Sequence, residues 1–474
     1  MAPLPPLAAL ATRAAELDAG DVHALAVGTL AAPDLLTTLH DRARAAADAP
    51  AELLLDLEVL LQPGADDGAD VLVLAHVRSI AEREGWVVQA ELDLTAELQA
   101  GRQRLLQAIE RHRATLQREG HDVAAALVQL QRRQQALQAG RHGGRRWQLL
   151  QATRPRGHTV PMTPAQAPAM RRLFAEIFGH EMTPEHWQWK YGQGHGHAVA
   201  LLEDGELVGH YGGLTRALRV RGRPMLGCQV CDVMVAPRAR RSLARRGPLY
   251  RIAADFLETQ IGWGLPHQVG FGFPSQRHHG AADRMKLYTG VDRMVQLSWP
   301  AQAEPLPPLH VSSLHETDLP HWRTAIDGLW QQMAADLGDL VLGVRDADWL
   351  RWRFLQRPGV DYQVLLVRSR WWRRPMGVLV LRRRDDALEW LDVVAPVRHF
   401  GLLLSVARAR AAQAGLPALR CWVSASQQQR LTNVAAADVH DLGIEVPACA
   451  HTAGPSPDLF KDRWFLFAGD ADFT

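Results

Sequence analysis

Between Val235 and Pro248 the chain reads Ala236-Pro237-Arg238-Ala-Arg240-Arg241-Ser-Leu-Ala-Arg245-Arg246-Gly247. Behind this run Leu249, Ile252, Ala253, Phe256 and Leu257 fall on one face of a helix that opens near Pro248. A helix N-terminus presents free backbone N–H groups and the positive end of its dipole, and arginines beside it add charge-assisted bonds. That junction suits a phosphate-like anion. Other candidates carry less chemistry. Cys228-Gln-Val-Cys231 has CxxC spacing but lies on a strand pattern, where positions three apart face opposite ways, and no second pair accompanies it. Two idle thiols are expected. His180, His195 and His197 have no accompanying carboxylate pattern, and His278 and His279 read as surface residues, so no metal is expected.

These residues sit inside a repeat. The middle of the chain runs Trp187-Gln-Trp189-Lys190-Tyr191, an apolar stretch Ala198 to Leu202, a turn at Asp204-Gly205, and Asp232-Val-Met-Val-Ala-Pro237. The later part runs Trp349-Leu-Arg-Trp352-Arg353-Phe354, Val364 to Val367, a basic turn, Met376-Gly377-Val378, and Asp392-Val-Val-Ala-Pro396. Each then gives a helical stretch, a short strand (Val269 to Phe273; Leu419 to Val423), a Ser-Gln turn and a last helix ending near Gly290 or Gly443. Matching order at close spacing implies two similarly folded domains. The four tryptophans read as core anchors of the two copies.

The middle copy resembles the GNAT superfamily of acyl-CoA-dependent N-acyltransferases over about residues 158–298. The resemblance is carried by the helix Ala169 to Phe178 after a first strand, hairpin turns at Asp204-Gly205 and Arg221-Gly-Arg-Pro224, the Val-x-Pro end of the fourth strand and the arginine-glycine loop behind it. Gly272-Phe273-Pro274-Ser275 stands in the place of the fifth strand and its following polar residue. The resemblance implies that the coenzyme A diphosphate sits on Arg240, Arg241, Arg245, Arg246 and Gly247. It also implies that the pantetheine arm pairs with the strand edge at Met234 and Val235, and that Ser275 adds a bond. Asp232 takes the place of the proton acceptor and Tyr288 that of the proton donor. The loop is longer than the family's and holds one glycine where two are usual. The later copy, with only Pro396-Val-Arg398-His-Phe-Gly401 before its helix, makes a poorer cradle and is expected to wall the cleft or support its neighbour.

The fold class expected is α/β (α+β): a mainly helical N-terminal region at 1–150, a GNAT domain at 151–300 and a second, degenerate copy at 301–474. Within 1–90, Val71 to Val77 reads as a strand after a loop at Pro63 to Gly68. From 92 to 139, Ile109, Leu116, Val123, Leu130 and Leu137 recur every seven residues, giving a helical hairpin broken at Gly120 or a coiled coil that dimerises the chain. Arg145 to Gly157 reads as a solvated linker rather than a nucleic-acid surface, because its basic run holds one Trp and no repeated aromatics.

Composition narrows the rest. A net charge of +2 gives no global pull toward nucleic acid or membrane, and neither partner is expected. Four cysteines make no disulfide framework, no apolar stretch is long enough to span a bilayer, and the first residues are no signal peptide, so a cytoplasmic protein is expected. Its three lysines among so many arginines fit a GC-rich bacterial genome. The activity expected is transfer of an acyl group, from acetyl-CoA or another acyl-CoA, to an amine of a small molecule such as an amino sugar. A tandem pair without catalysis is the alternative. An aminoacyl-tRNA-dependent transferase is a third, disfavoured because its helical arm is inserted within the pair, whereas here the helices precede both copies.

Overall fold

A computed structural model describes residues 7–17, 32–45, 51–64, 71–153, 156–240, 247–302 and 308–473. The chain divides into two compact units: Met1–Pro161 with Leu201–Glu206 and Trp263–Pro266, and Met162–Ala200 with Leu207–Gly262 and His267–Thr474. It is mixed α/β, as expected.

The first unit contains α1 (Leu7–Leu17), α2 (Ala32–Ala45), β1 (Glu52–Leu60), β2 (Leu72–Val73), α3 (Leu74–Arg83), β3 (Trp86–Asp93), α4 (Thr95–Arg111), α5 (Arg113–Arg118), α6 (Val123–Gln138), β4 (His142–Gln151) and β5 (Gly157–Pro161). Its sheet has the order β2-β1-β4-β3. The helical stretch appears as α4 to α6. The chain reverses after Gly120, whose φ of 88° suits glycine, and Asp122 caps α6 by accepting from Ala125 N–H. The heptad residues Ile109, Leu116, Val123, Leu130 and Leu137 are all buried, most of them in a cluster with Leu10 and Ala14 of α1.

Two local expectations fail here. Of Val71 to Val77 only Leu72 and Val73 pair as strand, and α3 begins at Leu74, because a short apolar run fits either period and Val77 and Ile80 continue a helical face. The expected loop before it keeps only Pro63 and Gly64 among the described residues. The first part of the expected linker, Arg145 to Gln151, is instead strand, in β4, antiparallel to both β1 and β3. Its arginines are cross-strand partners: Arg146 meets Asp56 at 2.6 Å, and Arg145 meets Asp93 at 2.9 Å and Glu91 at 3.2 Å. Beneath them Glu58 is fully covered. Burial would raise its carboxyl, but His142, Arg102 and Arg133 hold it down at about 2.

The second unit begins with α7 (Ala167–Phe178), α8 (Pro184–Tyr191), β6 (Gly196–Glu203), β7 (Glu206–Val220), β8 (Arg223–Val235), α9 (Pro248–Gln260), β9 (Val269–Gly272), α10 (Gln276–Arg284) and β10 (Tyr288–Pro300). Both hairpin turns put two consecutive residues at positive φ, Asp204 and Gly205 at 50° and 81°, Arg221 and Gly222 at 49° and 76°. That backbone suits a two-residue hairpin, since its twist matches that of the flanking strands. The unit continues with β11 (Leu309–Ser313), α11 (Leu319–Asp336), β12 (Val341–Gly343) and α12 (Ala347–Leu350), which widens into a π turn at Arg351–Leu355. Then come β13 (Gln363–Ser369), β14 (Pro375–Arg383), β15 (Leu388–Val394), α13 (Phe400–Gln413), β16 (Ala418–Ser424), α14 (Gln429–Thr432), β17 (Asp438–Cys449) and β18 (Trp464–Phe465).

The strands do not stay with their own copies. One sheet runs β18-β12-β7-β6, with β8 on β7 and β9 on β8. The other runs β11-β13-β14-β15-β16-β10-β17, so the last strand of the middle copy lies between two strands of the later one. The expected last helices are shorter than anticipated: α10 ends at Arg284 and α14 at Thr432. Gly290 and Gly443 fall in strands, where the apolar residues of 288–300 are buried with antiparallel partners on both sides.

Candidate functional site

Strand β8 pairs in parallel with β9 from Gly227↔Val269 to Val230↔Gly272, and beyond Val230 it pairs only with β7. At that parting the β7 register slips: His210 opposes Met234 and Gly212 opposes Cys231, leaving Asp232 and Val233 opposite Tyr211. This is a β-bulge with Asp232 at φ 50°, a device that re-aims a side chain. The Asp232 carboxylate meets α8. Lys190 Nζ lies 2.8 Å from it and 2.7 Å from Asp472, and Tyr191 OH donates to it at 2.5 Å. Burial alone would raise the Asp232 carboxyl, but Lys190, His210 and Tyr191 hold it below the usual range. Burial likewise pushes the Tyr191 phenol well up. His210 donates from Nδ1 to the Asp232 carbonyl at 2.7 Å, and its buried Nε2 has no hydrogen-bond partner among the described residues.

The sequence-predicted residues divide. Met234 and Val235 are buried on the β8 segment that has left β9. Arg240 donates from Nε to the Val235 carbonyl at 2.9 Å, tying the strand end to the start of the loop. Arg241, Arg245 and Arg246 lie outside the described residues. Gly247 is the N-cap of α9, with Pro248 in the first turn. Ser275 caps α10 and sits 3.0 Å from His278 Nδ1. Tyr288 is the first residue of β10, and its hydroxyl lies 3.1 Å from that of Tyr211, the residue opposite the bulge. Its phenol is raised by burial first and then by Tyr211. Lys190, Tyr191, His210 and Asp472 were missed. One signal was available: Lys190 is one of only three lysines and directly follows Trp189 in the repeated tryptophan motif.

Cys231 Sγ, Asp232 and Asp472 offer ligand atoms within 4.8 Å of one another, but the Lys190 ammonium already bonds both carboxylates and does the work of a cation there. Cys228 and Cys231 are both free and buried. Burial, the largest influence on each, pushes both thiols up.

The later copy repeats the parting: β15 pairs with β16 only to Trp390↔Cys421. There the chain itself fills the space. β10 holds one edge of β16 at Val423, and on the other edge Val423 bridges Phe467 while Ser424 N–H donates to the Leu466 carbonyl at 3.2 Å. Gly469 follows, packed so closely that a Cβ there would lie 2.7 Å from the Leu391 carbonyl oxygen. Asp392 is paired with Arg345 at 2.7 Å, and Arg345 also bonds Asp470. Burial dominates at Asp392 and raises its carboxyl despite Arg345. Arg216 of β7 reaches Asp470 at 3.2 Å, and burial lowers it to about 10. The copies also meet through their repeated tryptophans. Trp189 and Trp352 stack at 4.7 Å, and each indole N–H donates to the other's carbonyl, at 2.8 and 3.4 Å. A small cavity beside them is lined by Thr215, Gln229, Trp352, Arg353 and Asp472.

Residues 159–278 match the family model described as an acetyltransferase (GNAT) domain. A GNAT-type acetyltransferase domain thus occupies the middle of the chain. No curated protein matches the sequence. Similar solved structures include a probable N-acyltransferase of unknown function from Enterococcus faecalis V583 at 12% identity and TM-score 0.49, over 62% of this chain and 72% of that one. A GCN5-related N-acetyltransferase from Kribbella flavida is 14% identical with TM-score 0.44, over 62% and 70%. Saccharomyces cerevisiae N-myristoyltransferase with bound myristoyl-CoA is 10% identical with TM-score 0.42, over 65% and 86%. Among the described residues no helix is long and apolar enough to cross a membrane.

Proposed function

We propose that the middle copy transfers an acyl group, from acetyl-CoA in the first instance, to the amine of a small molecule such as an amino sugar. The observation that carries this reading is the parting of β8 from β9 after Val230, which leaves the edge of Cys231 to Val235 for an added strand-like partner. The pantetheine amides are suited to that edge, and the diphosphate to the start of α9 at Gly247 with the arginines before it.

In the reaction the amine nitrogen attacks the thioester carbonyl, the C–N bond forms, the C–S bond breaks, and the thiolate takes up a proton. Asp232 is the proposed proton acceptor, kept ionised by Lys190 and Tyr191. Tyr288, kept protonated by burial, is the proposed donor, acting beside Tyr211. Titration calorimetry with acetyl-CoA tests the reading: micromolar binding supports it, and no binding at millimolar cofactor rejects it.

A second reading, cofactor binding without turnover, is favoured by one observation. The Asp232 carboxylate already has Lys190 and Tyr191 as partners, and a carboxylate so held is a weak base. Thiol release across a panel of amines separates the two, since binding without release at any amine selects the second.

A further inference from the structure

We propose that the tip of the β13–β14 hairpin docks on an anionic lipid bilayer surface. The tip is Arg370-Trp371-Trp372-Arg373-Arg374, closed by Ser369 N–H donating to the Arg374 carbonyl at 3.0 Å and by Arg374 N–H donating to Ser369 Oγ at 3.1 Å. Trp371 and Trp372 are 79% and 78% exposed, and the next most exposed large apolar side chain among the described residues, Leu54, reaches 60%. Among the described residues the two indoles stack on no other ring. Each is approached by its neighbouring guanidinium, Arg370 at 5.5 Å from Trp371 and Arg374 at 5.8 Å from Trp372. Two adjacent indoles held in water at a hairpin end contribute nothing to the core, so their use lies outside the fold.

Charge says what covers them. From Gln363 to Gly377, the tip and the strand ends that carry it, the chain holds four arginines, Arg368, Arg370, Arg373 and Arg374, and no acidic residue, although its net charge is only +2. Among the described residues Arg370, Arg373 and Arg374 make no ion pair. An occupant must therefore offer many anions beside an apolar layer. An anionic bilayer supplies both: phosphodiesters for the guanidinium groups, and the headgroup–acyl boundary, where amphipathic indoles settle. Single-stranded nucleic acid is matched less well, because it is held along a basic groove with successive stacking platforms, whereas these indoles share one turn. Whole-chain charge gave no reason to expect a membrane partner; the local concentration of arginine does. With no spanning helix among the described residues, the attachment is peripheral.

Co-sedimentation of the full chain with vesicles tests this. Vesicles of phosphatidylcholine with one quarter phosphatidylglycerol should bind it, vesicles of phosphatidylcholine alone should not, and high salt should release it. The W371S/W372S variant should bind about tenfold more weakly or worse. The R370S/R373S/R374S variant should lose about a hundredfold, since each arginine near such a surface is worth about fivefold. All these side chains lie at an exposed turn, so melting midpoints should match wild type, and W371S alone provides a milder change should the pair melt early. Equal binding of wild type to both vesicle types overturns the proposal. So does undiminished binding by the variants, and so does binding to oligothymidylate with none to vesicles.

Discussion

The two copies hold their repeated aspartates differently. In the middle copy one cation, Lys190, faces two carboxylates, Asp232 and Asp472, and the Asp232 carboxyl is held low. In the later copy two guanidinium groups, Arg345 and Arg216, face Asp392 and Asp470, yet deep burial raises the Asp392 carboxyl. The strand parting beside Asp392 is filled by Leu466 to Gly469, which bond the facing edge of β16 and pack Gly469 against the Leu391 carbonyl. The later parting is thus occupied by the chain's own closing segment.

The comparison can be broken most forcefully at Arg345. R345M leaves Asp392 buried without its guanidinium partner and Asp470 with Arg216 alone, and should cost about 3–5 kcal/mol in urea unfolding. K190M should fall at or below the low end of that range, because Asp472 keeps some contact with water. A loss at Lys190 exceeding that at Arg345 would reverse the assignment of which cluster holds the fold. Next is G469A, which forces a methyl against the Leu391 carbonyl and should cost about 1–3 kcal/mol. An unchanged melting curve would mean that the Gly469 segment is not seated there.

The aspartates themselves should respond oppositely to pH. A depressed carboxyl contributes stability above its unfolded value, lost as pH falls through the folded one, so the Asp232 contribution is present at neutral pH and disappears below about 3.8. A raised carboxyl contributes below its unfolded value and loses that as pH rises. D232N should therefore destabilise at pH 7, by about 1–3 kcal/mol, more than D392N does, and the gap should close in acid. Denaturant midpoints of both variants across pH give the answer. The smallest effect belongs to the paired indoles: a double-mutant cycle on Trp189 and Trp352 should return a coupling of about 0.5–1.5 kcal/mol. Zero coupling would make the stack incidental.

The repeat was legible because it rests on residues that cannot easily change place: tryptophans on short helices, glycine turns at positive φ, and an aspartate at a strand bulge. The middle domain followed from it. Arg145 and Arg146 misled because a run of like charge looks solvated until its partners, Asp56, Glu91 and Asp93, are brought in from distant strands. Tyr288 misled in another way: its segment was read as the end of a helix, whereas β10 takes its pairing from strands more than a hundred residues away. Asp472 carried no local signal. It is defined by Lys190, at the other end of the unit.

The placement of β10 bears on the order in which a ribosome delivers this fold. Val295, Leu297 and Trp299 are buried in a cluster whose other members all lie from Leu314 onward, and both strands that pair with β10, Ala418 to Ser424 and Asp438 to Cys449, also emerge later. At about 5–20 residues per second, the nascent middle domain waits on the order of ten seconds with an apolar strand unmated. A chain stopped after Pro300 would keep that strand bare, and should aggregate rather than yield a small working enzyme.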